Sequence, residues 1–483
     1  MTDRVTLDQV KMRSQGINAL AQRWKAVLSV CVFLTVMPLC AQEQKVSVPE
    51  FSLALAGDSI IMTPASVHQN DPQFVALRDV IHGSDAAFTN LEGTFPGRNS
   101  YPAAEPRATW ISVDPAMLKE LQWIGFNLFS NANNHAMDFG IDGLLNTMQA
   151  MRGAGAVYAG VGENLGEARA PGYLSTSHGR VALIACASTF QHDAPAGQSR
   201  PDLRGRPGIN PLHHETKYEV DANTLDALQK LKDDLHLGST SIASKSSQNL
   251  SLAFDGGAPV TFAAGERPKV VTTPDANDLA AITSSIKDAR EMADYVVVSI
   301  HSHEGAPGAE SLQVPAQFVT EFAHAAIDAG ADVFVGHGNH ALRGIEIYKG
   351  KVIFYSLGNF IFENDLVVPQ PTEFYQQFGL GADALPAQAF DTRSDHDRKS
   401  FPANPLLWRS VVAHVLFRDK HPVEVTLTPI TLGFGRPRPD RGYPELADAK
   451  AGQEILEGLR KLSQLFGTNI AIKDGIGTIT IGR

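Results

Sequence analysis

The chain has 483 residues, of which 43% are hydrophobic and 19% charged, and its formal net charge is −11. This length suits one large α/β domain with insertions, or two domains. The negative charge argues against a nucleic-acid partner and against electrostatic attraction to anionic membranes. A polyanionic substrate would therefore need a local basic or metal-bearing site.

Residues 1–41 have the pattern of an export signal. A basic stretch precedes the short apolar segment 26–40, and the small residue Ala41 follows it. This apolar segment is short for a spanning helix, which needs about 20 residues. We therefore expect residues 1–41 to be an export signal or an N-terminal anchor, and the protein to be periplasmic or extracellular.

Beyond this segment, apolar strand-like runs alternate with helical patterns. The predicted strands are, in chain order, 51–62, the end of 79–93, the start of 126–140, 157–162, 181–189, 295–305, 331–340, a hairpin at 344–360 and a second hairpin formed by 411–419 and 422–430. The predicted helices are 117–125, 141–155, 222–234, 276–293, 316–330 and 454–467. Strands that alternate with helices and are followed by hairpins indicate an α/β sandwich with mixed sheets.

The composition of the chain divides the predicted domain into regions. Residues 51–365 form the predicted core, and 192–280 change to Ser-, Lys- and Gly-rich loops, which predicts an insertion or cap. Residues 366–483 are predicted to be a loop-rich segment followed by a C-terminal hairpin and helix that complete the same domain. The charged stretch 391–399 is expected to be a solvated loop.

Five predicted strands end at residues that bind metals or catalyse proton transfer. In α/β folds, ligands collect at the carboxyl ends of strands, so we expect these ends to converge. Asp, Glu, Asn and His together are the ligand types of a site for Zn, Mn or Fe. Each piece alone also suits a turn, a cap or a polar loop tip; the conjunction favours a metal site. The strand-end residues are Asp58, Glu92, Asn134 with His135, His301 with His303, and His337 with His340.

Two loops add basic residues that can recognise an anionic substrate. Arg98 and Arg107 lie in 94–110, and Arg204 and Arg206 in 200–210. Guanidinium forks suit carboxylate and phosphate groups, although for any one of these arginines an ordinary solvated loop position is the more common case. In the motif SLGNF, Asn359 is expected near the floor of the site, as a hydrogen-bond donor or a turn residue.

The same residues carry a resemblance to a known family. The resemblance rests on GDSIIM, TNLEGTF, NANNHAMDFG, GVGENLGEAR, RPGINPL, VVVSIHSHEG and GADVFVGHGNHALRGIEIYKGKVIFYSLGNFIF. These motifs, in this order, resemble the CapA family of bacterial capsule (poly-γ-glutamate) synthesis proteins, which have a calcineurin-like metallophosphatase-type fold. The resemblance covers roughly residues 51–365 and, more loosely, 405–470. It implies a two-sheet β-sandwich flanked by helices, in four layers (α/β/β/α).

The resemblance also implies a site. It implies that the positions used by metallophosphatases are occupied here by Asp58, Glu92, Asn134, His135, His301, His337 and His340. We expect the metal ligands to be Asp58, Glu92, Asn134, His301, His337 and His340, and the catalytic residues to be His135 and His303. From the residues themselves, we expect the substrate to be bound by Arg98, Arg107, Arg206, Glu304 and Asn359. Metallophosphatases open with Asp-x-His, whereas this chain has Ile60 at the histidine position, and Glu92 replaces their metal-bridging aspartate. One metal, or a reshaped pair that uses His303, is therefore expected.

The expected function is that of an exported CapA-like protein in synthesis or processing of poly-γ-glutamate or a related anionic capsule polymer. The expected cofactor is a divalent metal ion, Mn, Zn or Fe, which activates water for hydrolysis while His135 acts as general acid/base or orients the substrate. Two alternatives stay open. One is a metal-dependent phosphatase or phosphodiesterase acting on a small-molecule substrate. The other is a non-catalytic accessory that binds the polymer for a membrane-bound capsule synthesis complex.

Overall fold

The computed structural model of the chain describes residues 50–104, 108–237, 249–252, 260–308 and 311–482. The expected export signal at 1–41 and the candidate residue Arg107 lie outside these ranges. Among the helices of the described residues, none has both the length and the apolar character needed to cross a membrane.

The described residues form 22 strands and 11 helices, numbered here in chain order. The strands are β1 (Glu50–Ile60), β2 (Ala86–Leu91), β3 (Leu128–Ser130), β4 (Val157–Ala159), β5 (Val161–Gly162), β6 (Gly172–Thr176), β7 (Gly179–Ala187), β8 (Gly208–Ile209), β9 (His214–Val220), β10 (Asn249–Leu252), β11 (Val260–Ala264), β12 (Lys269–Pro274), β13 (Tyr295–Ser302), β14 (Val333–Gly338), β15 (Ile345–Tyr348), β16 (Lys351–Phe354), β17 (Asn359–Phe362), β18 (Arg409–Arg418), β19 (His421–Thr431), β20 (Glu445–Leu446), β21 (Ala471–Lys473) and β22 (Ile476–Thr480). The helices are α1 (Pro72–His82), α2 (Ala116–Ile124), α3 (Gly140–Gly153), α4 (Leu165–Arg169), α5 (Ala222–Asp234), α6 (Ala276–Met292), α7 (Gln317–Asp328), α8 (Thr372–Gln376), α9 (Pro386–Ser394), α10 (Ser400–Ala403) and α11 (Ala449–Gln464).

Two large sheets contain the strands that end in polar residues. The first has the order β21-β22-β19-β18-β1-β2-β3-β4, with β17 paired to β1 and β20 to β19. Strands β1 to β4 run parallel, and β17 is parallel to β1. The second sheet has the order β15-β16-β14-β13-β7-β6, in which β7, β13, β14 and β16 are parallel. Because parallel strands end at the same edge of a sheet, each sheet gathers its polar strand ends along one edge.

Side-chain alternation along β1 explains how the first sheet buries both of its faces. Leu53 and Leu55 belong to a buried cluster that also contains Val297 of the second sheet. The intervening Ala54 and Ala56 belong to another cluster, together with residues of α1 and α2. Helices α6 and α7 contribute to a third cluster with the second sheet. The prediction of an α/β protein with mixed sheets is confirmed.

The predicted insertion at 192–280 contains structure that the sequence analysis missed. It includes a four-stranded sheet of order β10-β11-β9-β12, beside the correctly predicted helix α5. Strands β9 and β11 carry mostly half-buried residues, so they lack the clear apolar alternation that identifies a strand.

The expectation of a loop-rich segment after residue 365 was also incomplete. It contains the short helices α8, α9 and α10, whose charged and polar composition hides a helical pattern. The stretch 391–399 therefore begins within α9 instead of forming a continuous solvated loop.

Gly57 allows β1 to pass close to the turn before β17. The Asp58 backbone N–H donates to the Gly358 carbonyl at 2.9 Å. A Cβ at residue 57 would lie 1.9 Å from that carbonyl oxygen. The pairing of β1 also shifts register between Leu55 and Asp58, and between Asp58 and Ser59. Such irregularities change the direction in which a side chain points, and here they lie at Asp58, a candidate metal ligand.

Replacing this glycine should destabilise the fold. We expect Gly57→Ala to lower the free energy of unfolding by about 1–3 kcal/mol, the usual effect of overpacking a filled interior. Gly153→Ala is the matched control, because a methyl group there meets no atom within 4 Å at the end of α3. Urea denaturation measures both variants. Equal stability of the two would contradict the close approach at Gly57.

Candidate metal centre

The ends of five strands bring the predicted ligands to one place. Asp58 lies near the end of β1, Glu92 directly follows β2, and Asn134 and His135 follow β3. The second sheet supplies two pairs from the ends of β13 and β14. These are His301 with His303, and His337 with His340. Below, Asp58, Glu92, His301, His337 and His340 are called the Asp58 cluster.

The Asp58 carboxylate lies at the centre of this cluster and has no exposure to solvent. Its Oδ1 is 3.1 Å from His337 Nδ1 and 3.9 Å from His301 Nδ1. Its Oδ2 is 3.5 Å from His340 Nδ1 and accepts a hydrogen bond from the Gly338 backbone N–H at 2.8 Å. The carboxylate is thus shared by histidines from two strands of the other sheet.

Two groups of ligand atoms share Asp58. One consists of Asp58, His301 and His337, and the other of Asp58, Glu92 and His340. Within each group the ligand atoms lie within 4.8 Å of one another. Ligands about 2.0–2.2 Å from a metal ion can be up to about 4.4 Å apart across it. Either group can therefore hold a divalent ion after shifts of a few tenths of an ångström.

Unpaired polar atoms in the cluster also fit a cation. Both carboxylate oxygens of Glu92 and the Asn134 Oδ1 are buried with no hydrogen-bond partner among the described residues. A buried acceptor left without a partner costs about 1–3 kcal/mol, and more when it is charged. Carboxylate and amide oxygens without protein partners are the donor types that a hard or borderline metal ion prefers.

Outer hydrogen bonds orient the imidazole rings. The Asn359 Oδ1 lies 2.8 Å from His340 Nδ1, and because it can only accept, it leaves Nε2 directed towards Glu92. Ser299 Oγ lies 2.7 Å from His337 Nε2, which directs the Nδ1 of that ring towards Asp58. His301 Nδ1 and His337 Nδ1 are 3.2 Å apart. Ring nitrogens therefore face inward at the centre of the cluster.

Burial and the facing charges shift the pKa values of the cluster in different directions. Although burial would raise the pKa of Asp58, hydrogen bonds and charges of the facing histidines hold that pKa well below its usual value. Burial lowers the pKa of His301 well below its usual value. Burial and the charge of Asp58 raise the pKa of Glu92 to about 7. Burial opposes protonation of His340, but the Glu92 and Asp58 carboxylates outweigh it and raise the pKa to about 9.

A cavity of about 80 Å³ opens onto the cluster and is called here the mouth cavity. His135, His303, His340 and Asn134 line it. His135 Nδ1 lies 2.7 Å from an Asp138 carboxylate oxygen, and its Nε2 lies 3.8 Å from Glu92 Oε1. Burial would lower the pKa of His135, but the Asp138 charge and hydrogen bond raise it.

The predicted substrate-binding residues have diverse positions. Arg98 and Arg206 are exposed and do not line the mouth cavity, and Arg206 donates to the Pro195 carbonyl. Glu304 accepts hydrogen bonds from the hydroxyls of Ser188, Thr189 and Ser302, and Asn359 orients His340. The structure thus brings neither arginine to the site and gives the other two residues protein partners.

Sequence reasoning missed several residues of the site. Asn90 donates to Asp58 Oδ1 at 2.8 Å, and its position two residues before Glu92 on the same strand end was an available signal. Asp138 stands three residues after His135, a spacing that also could have identified it. Arg393 lines the mouth cavity from α9, and no local sequence pattern pointed to it.

Together, the mixed sheets and the buried strand-end cluster define an α/β protein with a candidate metal centre. The family described as bacterial capsule synthesis protein PGA_cap matches residues 52–364, and the chain belongs to this family. The resemblance to CapA proteins is therefore confirmed.

Individual relatives extend this comparison. The chain is 33% identical to the uncharacterized protein y4uA of Sinorhizobium fredii over 441 residues, which cover 89% of this chain and 93% of that protein. It is 25% identical to the PGA biosynthesis protein CapA of Bacillus subtilis over 293 residues, which cover 61% of this chain and 57% of CapA. It is also 25% identical to a probable polyglutamine synthesis accessory protein of Mycobacterium tuberculosis over 283 residues, which cover 58% and 56% of the two chains.

Replacing Asp58 should remove the carboxylate that both ligand groups share. We expect Asp58→Asn to weaken Mn²⁺ or Zn²⁺ binding more than about 100-fold, since loss of a residue that merely orients a ligand costs about 10- to 100-fold. The control Asp79→Asn removes an exposed carboxylate on α1 and should leave binding unchanged. Isothermal titration of metal-stripped protein measures both affinities. Wild-type affinity in Asp58→Asn would show that the cluster does not bind the ion.

Proposed function

We propose that the chain is a divalent-metal-dependent hydrolase that acts in the synthesis or processing of poly-γ-glutamate or a related anionic capsule polymer. The observation that carries this proposal is the convergence of two ligand groups on Asp58, beside the unpaired buried oxygens of Glu92. Membership of a capsule synthesis family supports the choice of polymer. The ion is Mn, Zn or Fe, in keeping with mixed imidazole and carboxylate ligands.

The proposal includes the organisation of the chain. We infer a four-layer α/β/β/α arrangement of the metallophosphatase type, because one buried cluster joins the two large sheets and two others join each sheet to helices. In it, residues 51–365 are the core, 192–280 an insertion or cap, and 366–483 complete the same domain. Export through residues 1–41, as a cleaved signal or an anchor, would bring the protein to a membrane-bound capsule synthesis complex.

Hydrolysis of a γ-amide adds water to the carbonyl carbon, breaks the C–N bond and delivers a proton to the departing nitrogen. A divalent ion held by the Asp58 cluster and Asn134 would supply Lewis-acid chemistry, polarising an oxygen and lowering the pKa of water. Asp138 holds the Nδ1 side of His135, which lines the mouth cavity, and leaves its Nε2, 3.8 Å from Glu92 Oε1, as the other ring nitrogen. His135 is thus placed to transfer the proton to the leaving group. His303 lines the cavity beside it.

A second candidate function is a non-catalytic accessory that binds the polymer for a synthetase. It is favoured by the small volume of the mouth cavity, about 80 Å³, which does not enclose a polymer segment. The Mycobacterium tuberculosis relative is likewise named a probable polyglutamine synthesis accessory protein. A phosphatase or phosphodiesterase would use the same ligands, although Ile60 stands where metallophosphatases have a histidine.

Activity should depend on both the metal and His135. With Mn²⁺ or Zn²⁺ added, we expect the wild-type chain to shorten poly-γ-glutamate, and His135→Gln to lower kcat about 10²- to 10⁴-fold, the usual contribution of a general acid or base. The matched control is His178→Gln, because His178 is an exposed histidine that is also paired with an aspartate, Asp85. Chain length after incubation is measured by gel filtration.

Parallel assays separate the candidate functions. Turnover of bis(p-nitrophenyl) phosphate without any shortening of poly-γ-glutamate would assign the site to phosphoester hydrolysis. Metal-loaded protein that turns over neither compound would contradict the hydrolase and leave the binding accessory.

A further inference from the structure

The C-terminal part of α9 brings a guanidinium group to the mouth cavity. Arg393 lines this cavity together with His135 and His340. Its Nη1 donates to the buried Thr109 Oγ1 at 2.7 Å, and its guanidinium carbon lies 4.9 Å from the centre of the Phe401 ring. A hydrogen bond and a cation–π contact therefore hold the group in one orientation.

Arg393 differs from its basic neighbours in having no ion-pair partner among the described residues. Arg398 pairs with Asp395 at 2.7 Å, Arg438 with Asp391 at 2.8 Å, and Arg441 with Asp397 at 2.7 Å. Burial lowers the pKa of Arg393, and the charge of Asp365 raises it. Asp365, however, accepts its hydrogen bond from Arg441. Because a guanidinium has five N–H donors and stays charged, Arg393 keeps donors for a ligand.

The cavity beside Arg393 has the size of a small polar group. Its volume of about 80 Å³ corresponds to two or three water molecules at about 30 Å³ each. Gln191 also lines it. Arg393 shares the lining of this space with His303 and His340 of the site.

We propose that Arg393 is the substrate-specificity residue of the site and that it binds a carboxylate of the polymer in the mouth cavity. This inference rests on the proposed function, which sets the hydrolysed bond at the Asp58 cluster. In a γ-linked glutamate chain, each free α-carboxylate is two bonds from an amide nitrogen. A guanidinium that holds this carboxylate fixes the neighbouring amide against the cluster. The planar fork of arginine matches the two carboxylate oxygens, which lysine cannot do.

A binding experiment tests this role apart from catalysis. The probes are γ-linked triglutamate and its analogue with every α-carboxylate converted to an amide, titrated calorimetrically into full-length protein with Mn²⁺. We expect the wild-type chain to prefer the acid, and Arg393→Gln to weaken binding of the acid about 10- to 100-fold while binding of the amide analogue is unchanged. Arg393→Lys should fall between the two.

The control is Arg398→Gln, which removes the same charge five residues later, from an exposed side chain paired with Asp395. It should bind both probes as the wild-type chain does. Thr109→Val keeps the charge of Arg393 but removes its hydrogen bond, and it should also weaken binding of the acid selectively. If Arg393→Gln loses its cooperative melting transition, Thr109→Val tests the role of Arg393 instead.

Several outcomes would overturn the proposal. These are equal wild-type affinity for acid and amide, no binding of the acid, or wild-type affinity for the acid in Arg393→Gln. Binding of bis(p-nitrophenyl) phosphate that depends on Arg393, without binding of triglutamate, would reassign the residue to phosphate recognition. Metal affinity and poly-γ-glutamate shortening are measured on the same preparations. A chain that binds triglutamate through Arg393 but holds no metal refutes the proposed hydrolase and leaves the carboxylate site standing.

Discussion

A buried, ionised carboxylate needs surrounding groups that stabilise its charge, and Asp58 has them from both sheets. The Gly338 N–H and the Asn90 amide donate to it, and the rings of His301, His337 and His340 face it. These groups come from β2, β13 and β14, so the carboxylate joins the edges of the two sheets. The glycine before it lets β1 approach the Gly358 carbonyl closely enough to set this position.

The Glu92 carboxylate indicates that the cluster binds a ligand and does not only stabilise the fold. Glu92 is wholly buried beside Asp58, and its oxygens accept no hydrogen bond from the described residues. Burial and the charge of Asp58 raise the pKa of Glu92 to about 7, which means that the protein alone compensates its charge poorly. A divalent ion would supply the missing positive charge to both carboxylates. The unpaired Asn134 oxygen supports the same interpretation.

The sequence predicted the centre of the site well because strand ends obey simple geometry. A short apolar run identifies a buried strand, and parallel pairing brings its polar end beside those of its neighbours. Asp58, Glu92, His301 and His337 follow this rule. Residues on loops and short helices do not, since tertiary packing alone decides where they point. Arg393 was therefore missed.

The charge of a residue did not predict which loop arginine lies at the site. Arg98 and Arg206 have the same chemistry as Arg393 yet lie exposed, outside the mouth cavity. The strands of the insertion were missed for a related reason, because their half-buried side chains give no apolar alternation. Composition and periodicity indicate which residues are buried. The arginine loops and the strands of the insertion bury few side chains, so these signals are weak there.

The central claim is that one metal-binding centre is built around Asp58. Crystals of the metal-loaded protein, measured near the Mn absorption edge, test it most directly through an anomalous difference map. The account predicts a peak within coordination distance of the Asp58 carboxylate, between the imidazoles of His301 and His337 or beside Glu92 and His340. Saturated protein whose anomalous peaks all lie away from Asp58 would contradict it.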